Sequence, residues 1–264
     1  MERKSVVARS MPEWQRPLVA VPLQQAFPQL GEIKEFRSKT CLFNHDRTRL
    51  FDVVSSRYQV IEHPEAIGMI SQGLEAVFDA PVSYTVRSVN GGARIKAEFS
   101  LPIKPIKIHG NDISELKLIL RNSYDRAWKF QANLGAFRLI CSNGMMIGES
   151  FGSISAKHIG VAEDINAPLL ESLADMIQRA PELRNLWTDW QDTRMTFEEA
   201  QELLEGQFPD KYLAPVLAEE SYPKSKWDLY NQLTAFATHD TKSPNRRMEF
   251  DEKIAQLFYD TAEE

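Results

Sequence analysis

From Glu115 to Gly148 the chain reads ELKLILRNSYDRAWKFQANLGAFRLICSNGMMIG, and the fold class turns on this stretch. Leu116, Leu118 and Leu120 alternate with Lys117, Ile119 and Arg121, the two-residue period of a strand buried on one side. Asn122-Ser123-Tyr124-Asp125 follows. Asn, Ser and Asp bond their own backbone there, and Asn and Asp tolerate left-handed dihedrals. Alternation resumes at Ala127-Trp128-Lys129-Phe130-Gln131-Ala132, so a hairpin is expected. A third extended run, Phe137 to Cys141, is expected to end at the turn residues Ser142-Asn143-Gly144.

Upstream, Val82 to Val89 and Ala93 to Leu101 flank Asn90-Gly91-Gly92, and Asn-Gly between alternating runs signals a second hairpin. A helix from Glu65 to about Phe78 puts Ile67, Ile70, Leu74 and Val77 on one face, and His63-Pro64 stops extended structure before it. Short strands are expected at 36–43 and 50–54, joined by a turn at His45-Asp46-Arg47-Thr48. Residues 1–31 carry Pro12, Pro17, Pro22 and Pro28, which forbid a long helix and imply an extended arm packed on its own domain or on a neighbour. After Gly160 the period turns helical. Leu169, Leu170, Leu173, Met176 and Ile177 share a stripe that Pro181 is expected to end. Thr196 with Glu199 is a capping box opening a helix to about Glu205, and further helices are expected from Lys226 to about Thr238 and from Arg247 to about Tyr259. The expected class is therefore α+β: an antiparallel β-sheet built of hairpins with a packing helix, followed by an acidic all-helical C-terminal part. The expected divisions are an arm over 1–31, a core domain over 32–181 and a helical region over 182–264.

With 264 residues, 43 % of them hydrophobic, the chain can bury a sizeable core, which excludes wholesale disorder. MERKSVVARS has no apolar run behind it, so no signal peptide is expected, and no window resembles a membrane span. The net charge of −6 divides sharply: residues 1–160 hold 21 Lys and Arg against 15 Asp and Glu, residues 161–264 hold 10 against 22. A basic, sheet-rich part thus precedes an acidic, helical one, and polyanion binding by the first becomes conceivable.

Chemistry is sparsely marked. Cys41 and Cys141 are read as free thiols, Cys141 as a small buried hydrophobe. Five dispersed histidines give no ligand spacing beyond Cys41 with His45, so no metal site and no cofactor are expected. There is no nucleophile elbow, phosphate loop or dinucleotide fingerprint, and no catalytic constellation. Asp46, Asp52 and Glu62 have no spacing that marks them as nuclease carboxylates. The basic strand residues carry more. Arg94 and Lys96 fall on the non-core face of one strand, Lys117 and Arg121 on that of another, and Lys129 and Arg138 alternate with apolar neighbours. From Arg87 to Arg138 there are 10 Lys and Arg against 4 Asp and Glu, enough excess to attract phosphates. Tyr124 and Trp128, beside Arg126 and Lys129, are suited to stacking unpaired bases. A sheet in water needs a polar outer face in any case, and Trp128 is equally suited to a core.

Leu120-Arg121-Asn122-Ser123-Tyr124-Asp125, with Phe137 to Gly144, resembles a family known from phages and plasmids and described only as a phage/plasmid-like protein of unknown function. Its hallmark is an Asn-Ser-His-Asp-Gly turn and an Arg-Val-Cys-Asn-like strand end; here Tyr124 stands for the histidine and Arg126 for the glycine. Val53 to Val60 and Trp227 to Thr234 resemble its early and late motifs. The resemblance implies a mobile-element protein in a bacterial cytoplasm and brings no catalytic residues. The order helix (65–78), strands (82–89, 93–101, 116–121, 127–132) and helix (167–179) is similar at fold level to single-strand annealing recombinases. That likeness implies single-stranded DNA held by a homo-oligomeric ring or filament, without a cofactor or membrane. A replication or single-strand-binding protein is an expected further partner. In that reading Arg94, Lys96, Lys117, Arg121, Arg126, Lys129 and Arg138 contact phosphates, Tyr124 or Trp128 stacks bases, and Asn122 and Asp125 shape the turn. Two rival readings stay open: a module that engages a host protein through its acidic helices, and a metal-dependent nuclease using Asp46 or Asp125.

Overall fold

The computed structural model describes residues 11–107, 113–138, 143–146, 153–156, 166–214, 216–218 and 222–259. The chain is α+β. It opens with a small antiparallel sheet in the order β1 (Val19–Pro22), β2 (Lys39–Phe43), β3 (Leu50–Ser55), with the single turn α1 (Leu23–Ala26) after β1. Part of the proline-rich arm therefore pairs with its own chain, Val21 opposite Cys41. Cys41 is a buried free thiol; Cys141 lies outside the described residues.

Helix α2 (His63–Phe78) begins at Glu62, whose side chain and that of Glu65 form a capping box around Pro64 in the first turn. It packs under a seven-stranded sheet of β4 (Tyr84–Val89), β5 (Arg94–Ser100), β6 (Ile106–Lys107), β7 (Ile113–Ser123), β8 (Phe130–Arg138), β9 (Asn143–Met146) and β10 (Ser153–Ala156). The strand order is β10-β8-β7-β5-β4, with β6 beside the start of β7 and β9 beside the end of β8. Both expected hairpins are present. In the first, Asn90, Gly91 and Gly92 turn with φ of 56°, 64° and 85°, a left-handed run in the four-residue loop closed by Val89 opposite Arg94. Register assigns the faces. Ile95, Ala97 and Phe99 lie opposite Asn122, Leu120 and Leu118, and Leu120 and Leu118 lie opposite Ala132 and Leu134, so one apolar face meets α2. On the second face Arg87 lies opposite Lys96, Lys96 opposite Arg121 and Arg121 opposite Gln131.

Two sequence expectations change. The run from Phe137 does not start a new strand: β8 continues from Phe130 through Gly135 to Arg138, because β7 is long enough to pair with all of it. Asn143-Gly144 then belongs to β9, paired with Arg138 and Phe137, rather than to a turn. The second change concerns α3 (Asn166–Asp192), which runs straight through Pro181. Proline removes one helical hydrogen bond and costs about 3 kcal/mol in a helix interior. Here Leu183, Trp187 and Trp190, all buried just beyond it, hold the second half of the helix in the core and override that local preference.

The helices α4 (Phe197–Leu204), α5 (Asp210–Leu213), α6 (Lys226–Ala235) and α7 (Pro244–Tyr259) complete the chain, α6 passing into a π-turn at Phe236–Asp240. The Thr196–Glu199 capping box forms as expected. Trp187, Trp190, Trp227, Tyr230, Phe258 and Tyr259 make one aromatic cluster, joined by hydrogen bonds from Trp187 Nε1 to Tyr259 and from Tyr259 to Tyr230. No described helix is long and apolar enough to cross a membrane.

Because Pro181 is exposed and its helix is held by packing on either side, Pro181→Ala is expected to stabilise the protein by about 1–3 kcal/mol in urea unfolding. Destabilisation would show that proline sets a bend the core needs.

Candidate nucleic-acid interface

Three chain reversals meet at one end of the large sheet, and each carries a non-glycine residue in left-handed backbone: Arg47 (φ 58°), Asn90 (φ 56°) and Arg126 (φ 55°). Such positions cost about 1–2 kcal/mol each for ordinary residues, so surrounding bonds must hold them. In the first reversal Asp46 accepts from the Thr48 amide and hydroxyl, and Asn44 accepts from the Arg49 amide. The Arg49 guanidinium then bonds the Asn90 carbonyl oxygen, while the Asn90 amide donates to Asp125 at 3.1 Å. Arg94 donates to the same Asp125 oxygen at 2.7 Å, and Arg126 makes a two-pronged pair with Asp52. Ser123 closes the hairpin by donating to the Trp128 carbonyl and accepting from the Trp128 amide. The Arg94 guanidinium lies 5.6 Å from the centroid of the half-buried Trp128 ring.

Beneath this end sits a buried polar network. His63 is fully buried; its backbone amide donates to the Tyr124 hydroxyl at 2.8 Å, and its Nε2 faces the Gly92 carbonyl at 3.0 Å. The Asn122 amide donates to the Ile61 carbonyl at 2.8 Å and lies 3.1 Å from His63 Nδ1. A carbonyl can only accept, and the Asn122 nitrogen can only donate, so these partners assign the neutral imidazole with its proton on Nε2. The Tyr124 ring stacks on His63 at 3.8 Å and on Phe51 at 5.8 Å. Burial raises the Tyr124 hydroxyl above its ordinary range and pushes that of neighbouring Tyr58 up to about 12.

The second face of the sheet is different in kind. Lys96 and Lys117 both pair with Glu98, at 3.2 and 3.7 Å. Burial alone would raise Glu98, but Lys96, Lys117 and Arg87 together hold its carboxyl below the usual range. Arg121, with 4 % of its side chain exposed, bonds Glu252 of α7 at 2.5 Å. Asp251, one residue earlier, is pushed up to about 6 by burial, although Lys96, Arg121 and Arg247 pull the other way. Helix α7 therefore closes over the middle of this face.

The residues singled out in the sequence divide accordingly. Arg94, Asn122, Tyr124, Asp125, Arg126, Trp128 and Lys129 come together at the hairpin end, with Arg126 and Lys129 exposed. Asn122 and Asp125 shape the turn, but each also ties it to another segment. Tyr124 is 3 % exposed and already stacked on protein rings, so in this structure its partner is His63 rather than a base. Lys96, Lys117 and Arg121 lie on the closed face. Arg138 ends β8 opposite Ser114, and its side chain lies outside the described part. His63, Arg49, Asp52 and Asn90 had no sequence signal as members of this end; Asn90 was legible only as a turn residue. Asp46, Asp52 and Asp125 are engaged by Thr48, Arg126 and Arg94, and no group of three His, Cys, Asp or Glu among the described residues is placed to hold a metal.

The chain belongs to the family described as Domain of unknown function (DUF932), whose model matches residues 50–257. Two proteins of Escherichia coli K12, UPF0380 protein YfjQ and UPF0380 protein YafZ, are each 34 % identical to it over 71 residues, which is 27 % of this chain and 24 % of each relative. The chain thus spans about a quarter of the length of these curated relatives. No solved structure matches it. A family of unknown function agrees with the resemblance carried by the Asn-Ser-Tyr-Asp turn.

Asn122→Ala removes the donor to two buried acceptors, each worth about 1–3 kcal/mol, so urea unfolding should show a loss of about 2–4 kcal/mol. A loss below about 0.5 kcal/mol would mean that the network does not hold the hairpin end. The raised Asp251 gives a pH signature. At this group the folded state binds a proton more tightly than the unfolded chain, so the Asp251 contribution to stability is full below about pH 4 and is lost as pH rises through about 6. The full effect is about 3 kcal/mol, and Asp251→Asn should exceed the parent in stability at pH 8 while matching it near pH 4. A variant less stable at pH 8 would show that the Asp251 charge is needed by its three cationic neighbours.

Proposed function

We propose that the protein binds single-stranded nucleic acid at the hairpin end of its large sheet, as a non-catalytic protein of a mobile element in a bacterial cytoplasm. The observation that carries this reading is Arg126: an exposed arginine in left-handed backbone, at the position where the resembled family has glycine, beside Trp128 and Lys129. Strain of this kind persists where a side chain is wanted at one spot more than backbone comfort. Its two-pronged ion pair with Asp52 is open on one side only: 56 % of the arginine side chain faces solvent, against 15 % of the aspartate side chain. A phosphate can therefore approach the exposed side of the guanidinium while Asp52 keeps holding its other side. Arg47, Arg49 and Arg57 stand in the neighbouring loops and enlarge the cationic rim, while Trp128 offers a half-buried ring for a base.

The same weighing disfavours the other cations. To free Arg121 and Lys96, α7 must lift away and expose Phe250, Ile254, Phe258 and Tyr259, which costs on the order of 8 kcal/mol at about 2 kcal/mol per side chain. Few phosphate contacts offset that. Strand annealing by a homo-oligomer is the finer part of the proposal. It rests on the fold-level likeness, drawn from the sequence, between the order of α2, the β4–β5 hairpin, the β7–β8 hairpin and α3 and that of the annealing recombinases named above.

Titration of a labelled oligothymidylate should show affinity that falls with salt, each phosphate contact adding about 0.7 to the slope of log K against log salt. Arg126→Gly combined with Lys129→Glu should lower that slope by about 1.4, with urea unfolding run beside it because Asp52 loses its partner, whereas Lys117→Glu should leave binding almost intact. Binding that is absent at low salt, or lost through Lys117 and kept without Arg126 and Lys129, contradicts the proposal.

A further inference from the structure

At the far end of β7 from the hairpin lies a cleft of about 370 Å³, between the connection at 101–107 and the middle of α3. That volume falls within the ~300–1,000 Å³ of ordinary ligand clefts. Its apolar floor comes from Ile103, Ile106 and Leu116 on the sheet side and Ile177 on the helix side, joined by Pro105 and Pro181. Three cations line it as well: Lys104, Lys107 and Arg184. Among the described residues no acidic one does. All three cations are exposed, and none has an ion pair or side-chain hydrogen bond among the described residues, whereas Arg94, Lys96, Lys117, Arg121 and Arg126 are all paired with carboxylates.

The backbone around the cleft is also under-used. Pro181 has no N–H to give the Ile177 carbonyl, so that acceptor loses its helical donor inside the cleft wall. Strand β6 is paired with β7 on one side, and among the described residues no strand pairs with its other side. An open strand edge with alternating pockets is the setting in which an extended peptide adds itself to a sheet. A polynucleotide fits poorly here, because among the described residues no aromatic ring lines the cleft to stack a base, and the floor is apolar. Carboxylates paired with lysine and arginine, and apolar side chains seated on isoleucine and leucine, match both halves of the lining.

We propose that this cleft docks an extended acidic peptide of a partner protein, its apolar side chains on Ile103, Ile106, Leu116 and Ile177 and its carboxylates on Lys104, Lys107 and Arg184. The site is separate from the hairpin end and stands whether or not that end binds nucleic acid.

The test is fluorescence anisotropy of the full chain with labelled Glu-Leu-Asp-Leu-Glu-Ile-Asp, beside one control with serine for the apolar residues and another with lysine for the acids. Saturable binding of the first peptide alone is expected. Lys104→Glu with Arg184→Glu should weaken it at least about tenfold without changing the melting temperature, since both residues are exposed, and Arg126→Gly should leave it unchanged. The proposal is overturned by no saturable binding, by equal binding of the serine control, or by indifference to the double charge reversal. It is equally overturned if that reversal instead abolishes oligothymidylate binding, or dissolves a dimer seen by sedimentation, for then the occupant is a strand or a second copy.

Discussion

One side-chain amide holds the hairpin end of this molecule together. Asn122, at the end of the central strand, donates both to the Ile61 carbonyl and toward His63 Nδ1, and so fixes the start of α2 against the turn that follows β7. Because His63 is buried without a charge, each of its polar atoms must find a partner, and it does: Gly92 from the β4–β5 hairpin and Tyr124 from the β7–β8 hairpin. The network is thus the point where two hairpins and a helix share one set of hydrogen bonds. Once they are locked, the left-handed Asn90 and Arg126 above them are over-determined, and their strain can persist.

The charge division along the chain has a structural answer. The carboxylates of the acidic second part do not simply face solvent. Glu252 and Asp251 of α7 come down on Arg121 and Lys96, while Lys226 of α6 lies over the ring of Trp190. Acidic helices and basic sheet therefore neutralise each other across the second face, and Asp251 is buried there at a cost in pH-dependent stability. Exposed cations remain at the hairpin end and at the cleft beside α3, and Arg87 stays exposed on β4.

Local patterns with an unambiguous mechanism were legible. Asn90-Gly91 could only be a tight turn, Thr196 with Glu199 could only open a helix, and the stripe Trp227, Tyr230, Leu233 is the buried face of α6. The sequence misled where packing overrode a local rule. Pro181 reads as a stop, yet the tryptophans beyond it carry α3 onward. Asn143-Gly144 reads as a turn, yet the length of β8 recruits it as a strand. The cationic face was correct in register and incomplete in consequence, since alternation shows that Lys96 and Arg121 share a side but not that α7 covers them. His63 was read as the end of a strand because nothing local reveals a histidine whose partners lie 29, 59 and 61 residues away.

The most direct measurement is hydrogen–deuterium exchange of the intact protein with and without a saturating single-stranded oligonucleotide. The account predicts slowed exchange confined to peptides covering 44–49, 90–92 and 124–129, with α7 unchanged. Exchange that instead accelerates in α7 while β5 and β7 become protected would mean that the closed face opens to the strand, and would contradict it.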